Sequence, residues 1–205
     1  MAERVEPVET VIRAYQPADY EAVSEVCVRT AEVGGDARGL YVSDELMPDN
    51  FVRPYVRFAP ELAFVVDDGA VGGYVVGVAD TRAFVEWFRR AWLPGYAATY
   101  EHVEPWTTKN ELIIHLGYWP ERMLIPEVDE YPAHLHIDML PRLQGQGWGR
   151  ALIENLKDAL RARGVPGLHL TMDAANTAAR AFYDRLGFTE LPSNTVEVPV
   201  LGIRL

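Results

Sequence analysis

The segment His134-Leu135-His136-Ile137-Asp138-Met139-Leu140-Pro141-Arg142-Leu143-Gln144-Gly145-Gln146-Gly147-Trp148-Gly149-Arg150 constrains this chain more than any other. Residues 133–140 read as a strand. Glycines at 145, 147 and 149 then force a tight turn. From Trp148 to about residue 163, Leu152, Leu156 and Leu160 recur at helical spacing, with Ile153 beside them. Arg163-Gly164, with Pro166 beyond, stops that helix. Glycine lets the backbone take φ > 0 and lets a ligand approach the N–H groups closely. Those groups and the helix N-terminus together make an anion site, for which a phosphate or pyrophosphate is the natural occupant.

Two phosphate-binding devices fail on spacing. No Lys-Ser/Thr pair follows the glycines, which excludes a P-loop. Gly145-x-Gly147-x-Gly149 is one residue short of the dinucleotide fingerprint G-x-G-x-x-G. The coenzyme A pyrophosphate loop of the GNAT acetyltransferases, Q/R-x-x-G-x-G/A, fits in two registers, from Gln144 and from Arg142. The register from Gln144 is preferred because it lets the helix begin at Trp148. A second motif follows at the right distance. Asn176-Thr177-Ala178-Ala179-Arg180-Ala181-Phe182-Tyr183-Asp184-Arg185-Leu186-Gly187-Phe188 resembles the family's N-x-x-A-x-x-F-Y-x-x-x-G-F. The chain therefore resembles a GNAT-fold N-acetyltransferase, strongly over about 130–190 and weakly before 81. More narrowly, Tyr131-Pro132-x-His134-Leu135-His136-Ile137-Asp138 resembles the acetyltransferase-like C-terminal domain of O-GlcNAc hydrolases and its free-standing bacterial relatives.

The resemblance implies an α/β (α+β) fold: a central mixed, mostly antiparallel sheet with splayed central strands and flanking helices, in one domain over 1–205. It implies that acetyl-CoA binds between the strand carrying Asp138 to Leu140 and the strand at 168–172. Backbone groups of Met139 and Leu140 would pair with the pantetheine arm. The N–H groups of Gln144, Gly145, Gln146, Gly147, Trp148, Gly149 and Arg150 would take the pyrophosphate. Asn176 would hydrogen-bond the arm, and Ala179, Phe182 and Tyr183 would flank the cofactor. Trp148 has a second reading, as a packing residue at the helix start.

The activity implied is direct acetyl transfer to a primary amine, on a small molecule or a peptide, in a ternary complex. A backbone N–H near Met139 would stabilise the oxyanion, worth ~3 kcal/mol in comparable sites. Tyr183 occupies the family's general-acid position; its plain alternative is a packing tyrosine. For the general base, Asp138 comes first and Asp173 second. His134, His136 and Asp138 share one strand face. Either histidine would orient the aspartate, be a satisfied structural group, or join it on a metal; the resemblance argues for no metal. A non-catalytic acyl-CoA-binding domain is the rival to the enzyme.

Composition narrows the partners. The chain has 205 residues, with 30 acidic against 19 basic, a net charge of −11. That argues against nucleic acid, which needs a basic face, and against anionic membrane surfaces. It is compatible with a cationic substrate, the more so as residues 142–150 hold Arg142, Arg150 and no acid. Glu127, Asp129, Glu130, Asp138 and Asp173 are then expected to flank the acceptor side. Cys27, the only cysteine, falls on an inward helix face and reads as a small buried hydrophobe. No apolar run is long enough to span a membrane, and residues 1–9 lack the pattern of a signal peptide, so a cytoplasmic location is expected. A homodimer is the oligomer to look for.

The rest reads as a strand at 11–14, a helix at 17–31, a short helix near 48–57, a hairpin over 62–66 and 72–79, and a final strand in 195–205. Residues 81–131 carry four of the five tryptophans and are broken by prolines. They are expected to form a helical insertion packed on the core, an aromatic wall over a ligand cleft, or both.

Overall fold

A computed structural model describes residues 9–205, so the reading of the acidic start falls outside the described residues for positions 1–8. The β-branched runs form Val11–Ala14 (β1), Ala63–Asp67 (β2) and Val71–Val78 (β3). Ala133–Met139 (β4), Gly167–Thr171 (β5), Thr189–Glu190 (β6) and Val200–Arg204 (β7) complete one sheet, in the order β1-β2-β3-β4-β5-β7-β6. Every neighbouring pair is antiparallel except β4 with β5.

That exception creates the functional feature. β4 and β5 pair only at Ala133↔Leu168 and His134↔His169. Beyond that point β4 stays with β3 as far as Met139, opposite Gly73. β5 stays with β7 as far as Thr171, opposite Val200. Each twisted strand follows its outer partner, so the two diverge and open a wedge at the sheet's centre. This is the expected splay.

Helices cover both faces. Alternation along β3 sends Tyr74, Val76 and Val78 to one side, into a core shared with Tyr20–Val28 (α1), Leu46–Phe51 (α2) and Arg53–Phe58 (α3). Val75 points the other way, towards Leu152, Ile153, Leu156 and Leu160 on Trp148–Arg161 (α7). The last helix, Thr177–Arg185 (α8), adds Tyr183 to that second core.

Residues 81–118 are largely helical: Thr81–Trp87 (α4), a π-helical turn at Phe88–Trp92, Leu93–Thr99 (α5) and Lys109–Tyr118 (α6). Asp80 and Thr108 cap two of these helices with their side chains. Tyr96, Tyr100, Ile113 and Ile114 sink into the first core. An aromatic groove of about 810 Å³ does form, lined by Tyr15, Tyr20, Trp87, Trp92 and Tyr96 among others, but no β4, β5 or glycine-turn residue lines it.

Three boundaries differ from expectation. The first helix ends at Val28, where the Thr30 hydroxyl bonds back to the Val26 carbonyl (2.8 Å). The short helix is two, α2 and α3, broken at Val52 with Pro54 in the first turn of the second. The final strand is only Val200–Arg204, and the two-residue β6 was not foreseen. Among the described residues, no helix is long and apolar enough to cross a membrane.

Candidate active site

The glycine turn leads out of the wedge. Gly145 and Gly147 take φ of 74° and 90°, conformations that a side chain would strain. A Cβ added at either would meet nothing within 4 Å, so the turn's outer surface is open. The helix starts at Trp148, with Gly147 as its cap. The Gln144 N–H, expected to face the pyrophosphate, instead donates to the Pro141 carbonyl (3.2 Å), whereas those of residues 145–150 find no acceptor among the described residues. Six successive free donors at one helix start are a strongly anion-attracting surface.

The side chains hold this turn without covering it. Gln144 Nε2 donates to the Met139 carbonyl (2.8 Å), and Gln146 Nε2 to that of Arg142 (2.7 Å). A Cβ on Gly149 would lie 3.2 Å from the Phe182 ring, so that glycine lets α8 close on α7. Trp148 is half-buried against the second core, its Nε1 buried without a partner.

Several expectations about this side need correction. Arg142 turns away and pairs through Nε and Nη2 with Asp68 (2.9 Å each), which lowers the Asp68 pKa. The turn is therefore less basic than its sequence. The Leu140 N–H bonds to the Gly72 carbonyl (2.8 Å) and its carbonyl to the Leu143 N–H (3.0 Å), so neither is free for a pantetheine arm. Backbone groups alternate along a strand, so those of Met139 point towards the wedge instead. Its carbonyl already accepts from Gln144, which leaves the N–H as the free group. Asn176 Oδ1 caps α8 by accepting from the Ala179 N–H (3.0 Å), leaving only its amide donors.

On the opposite face of β4 lies Asp138. Tyr74 donates a short hydrogen bond to Oδ2. Burial pushes the Asp138 pKa up to about 6, against the pull of the Tyr74 and Thr30 hydroxyls. Cys27 is buried beside them, its thiol pushed up by desolvation. Tyr183 is buried with no hydrogen bond to its hydroxyl among the described residues. Burial and then the charge of Asp138 raise its pKa, so Asp138 lies within its electrostatic reach. The two residues belong to β4 and α8, on either side of the wedge.

The histidines are fixed by a relay. The Thr81 hydroxyl must donate to the Pro132 carbonyl (2.7 Å), so it accepts from His134 Nδ1 (2.7 Å). His134 Nε2 then accepts from the Tyr55 hydroxyl (2.8 Å), whose oxygen accepts from His136 Nε2 (3.0 Å). Each ring is held neutral, His134 with its proton on Nδ1 and His136 with its proton on Nε2, consistent with burial pushing His136 down to about 3 and His134 well below its ordinary value. Three of four ring nitrogens are thereby engaged. Only His136 Nδ1 keeps an unused lone pair.

Asp173, the second choice of base, is exposed and folds its carboxylate onto the Ala175 N–H (2.8 Å), forming the turn into α8. The expected acidic rim does not form either. Glu127 accepts from the Ser193 N–H (2.8 Å), Asp129 pairs with Arg82 (2.9 Å) and Glu130 with Arg204. The Glu130 carbonyl lies against Gly167, at the closed end of β4 and β5, away from the Asp138 end.

The sequence model of the Acetyltransferase (GNAT) family matches residues 36–188. The crystal structure of SsHAT is 50% identical, with TM-score 0.89 over 95% of this chain and 98% of that one. Streptothricin acetyltransferase of Streptomyces lavendulae is 26% identical over 180 residues, 86% of this chain and 79% of that protein. The [ribosomal protein bS18]-alanine N-acetyltransferase of Escherichia coli K12 is 54% identical over 50 residues only. That match covers 24% of this chain and 34% of the relative's length. Salmonella typhimurium yncA, solved with its cofactor acetyl-CoA, shares the fold at 16% identity and TM-score 0.56, covering 96% of this chain and 94% of that one.

Proposed function

The chain belongs to the Acetyltransferase (GNAT) family, and from that premise we propose that it transfers an acetyl group from acetyl-CoA directly to a primary amine in a ternary complex. The family uses acetyl-CoA, and the residues present fit it. The open glycine turn with its six free N–H groups carries this reading, since no other described surface combines such donors with a parted strand pair. Bound there, acetyl-CoA supplies an acetyl group activated as a thioester.

The chain's own residues then have these roles. Residues 145–150 hold the pyrophosphate with backbone donors. The Met139 N–H faces the wedge and donates to the carbonyl oxygen as charge builds on it. Asp138, ionised above about pH 6, takes the proton of the attacking amine, directly or through water. Tyr183 is held protonated and gives its hydrogen to the departing thiolate. Burial is the larger cause of the raised Tyr183 pKa, and the charge of Asp138 adds to it. Asp173 has no part in this reading. The narrower kinship, with the O-GlcNAc hydrolase acetyltransferase-like domain, rests on the residues 131–138 and belongs to the proposal, as does the cytoplasmic location.

Release of free coenzyme A thiol tests it. The protein, saturated with acetyl-CoA, is presented with a panel of primary amines spanning small diamines, aminoglycosides, amino sugars and peptide N-termini. Amine-dependent thiol release is expected for at least one class. Acetyl-CoA binding without release across the panel would leave a binding domain; failure to bind would remove both.

A further inference from the structure

The insertion brings together a second group of side chains, apart from the wedge. His102 and Glu104 sit on the loop between α5 and α6, and His115 on α6 itself. His102 Nε2 lies 2.9 Å from His115 Nδ1. One carboxylate oxygen of Glu104, Oε1, lies 3.6 Å from the first and 3.5 Å from the second.

A hydrogen bond between the rings would explain the two nitrogens but not the carboxylate. Glu104 makes no side-chain hydrogen bond among the described residues, and it stands nearly equidistant from both rings, too far to bond well to either. An ion would take the place of the proton between the rings, turn them slightly apart and give the carboxylate a partner. Zinc with ligand bonds of about 2.0–2.2 Å in tetrahedral geometry sets its donors about 3.4 Å apart. The two carboxylate separations match that value, and the ring nitrogens, 2.9 Å apart, would spread by about half an ångström to reach it. An octahedral magnesium would hold neighbouring donors about 3.0 Å apart and takes oxygen ligands. Two imidazoles and a carboxylate suit zinc and its transition-metal neighbours.

The surroundings fit as well. The Tyr118 ring stacks on His102 with centroids 4.5 Å apart. Trp106 and Trp119 flank His115 at 6.4 and 6.0 Å. Both tryptophans are about half exposed, at 47% and 50%, so they wall the cluster instead of filling the core. We propose that His102, Glu104 and His115 form a zinc site, open at its fourth position to water, that fastens the loop at 100–108 to α6.

The test uses untagged full-length protein, treated with EDTA and dialysed, then titrated with zinc chloride by calorimetry and melted with and without zinc. The expected result is one zinc per chain and a raised Tm, with no comparable response to magnesium. His102→Ala and His115→Ala should each abolish the site. Circular dichroism and acetyl-CoA affinity report whether these variants fold. Glu104→Gln, on an exposed side chain, should weaken zinc binding about tenfold or more while leaving the fold intact. Absence of zinc uptake by the wild type, an equal response to magnesium, or unchanged affinity in Glu104→Gln would each overturn the proposal.

Discussion

The two sides of β4 are built by different means. Towards the wedge and the glycine turn, the candidate groups are backbone N–H donors at residues 139 and 145–150, without partners among the described residues. On the other face, the candidate groups are side chains in dense contact. Asp138 meets Tyr74 from β3, with Cys27 and Thr30 from the α1 region close by, while His136 and His134 meet Tyr55 from α3 and Thr81 from α4. A common cofactor can be held by a local backbone shape. A proton acceptor needs a tuned pKa, and tuning requires burial and partners from distant parts of the chain.

Substitutions can break this contrast, the largest first. Gly147→Glu places a carboxylate at the anion site and a side chain at φ of 90°. Calorimetry should show acetyl-CoA affinity falling beyond detection. Gly147→Ala separates the causes: backbone strain alone costs about 1 kcal/mol, or roughly fivefold. Near-normal affinity in the glutamate variant would mean that the pyrophosphate lies elsewhere.

Asp138→Asn should lower kcat by about a hundredfold or more, as expected for loss of a general base. Its pH profile should also lose the acidic limb centred near 6. Stability should move the other way. The folded pKa is above the ordinary carboxylate value, so folding favours the protonated form, and that stabilisation is lost as pH rises through about 6. The asparagine keeps an acceptor for Tyr74 and avoids the buried charge. Thermal melts at pH 8 should show a gain of about 1–2 kcal/mol. A variant both active and less stable would remove Asp138 from the mechanism.

Tyr183→Phe should lower kcat by about ten- to a hundredfold with little change in KM, because its proton matters after substrates are bound. Equal kcat would reduce it to packing. The smallest effect sharpens the contrast. Tyr74→Phe removes the donor that pulls Asp138 downward, so the acidic limb should shift up by about half a unit to one unit, with rates above pH 8 nearly unchanged. A fixed limb would mean that another group sets it.

The glycine turn, the start of α7 at Trp148 and the apolar stripe Leu152, Leu156 and Leu160 were legible because each depends on residues a few positions apart. The charge of the turn was not. Arg142 and Asp68 are 74 residues apart, and only the β2–β3 turn brings them together. Asp129 and Glu130 misled for the same reason, since their basic partners Arg82 and Arg204 lie far away in the chain. The cluster of His102, Glu104 and His115 went unread because its spacing matches no short metal motif.

The sequence by itself determined the glycine turn, the strands that flank it and the family, because φ > 0 glycines, helical periodicity and two ordered motifs are local facts. Tertiary structure alone decided which of the two carboxylates is buried with a raised pKa. Asp138 and Asp173 are the same residue type near neighbouring strand ends, yet one is buried under Tyr74 with its pKa raised to about 6, and the other closes an exposed turn. Burial and long-range hydrogen bonds set that difference, and neither exists until the chain has folded.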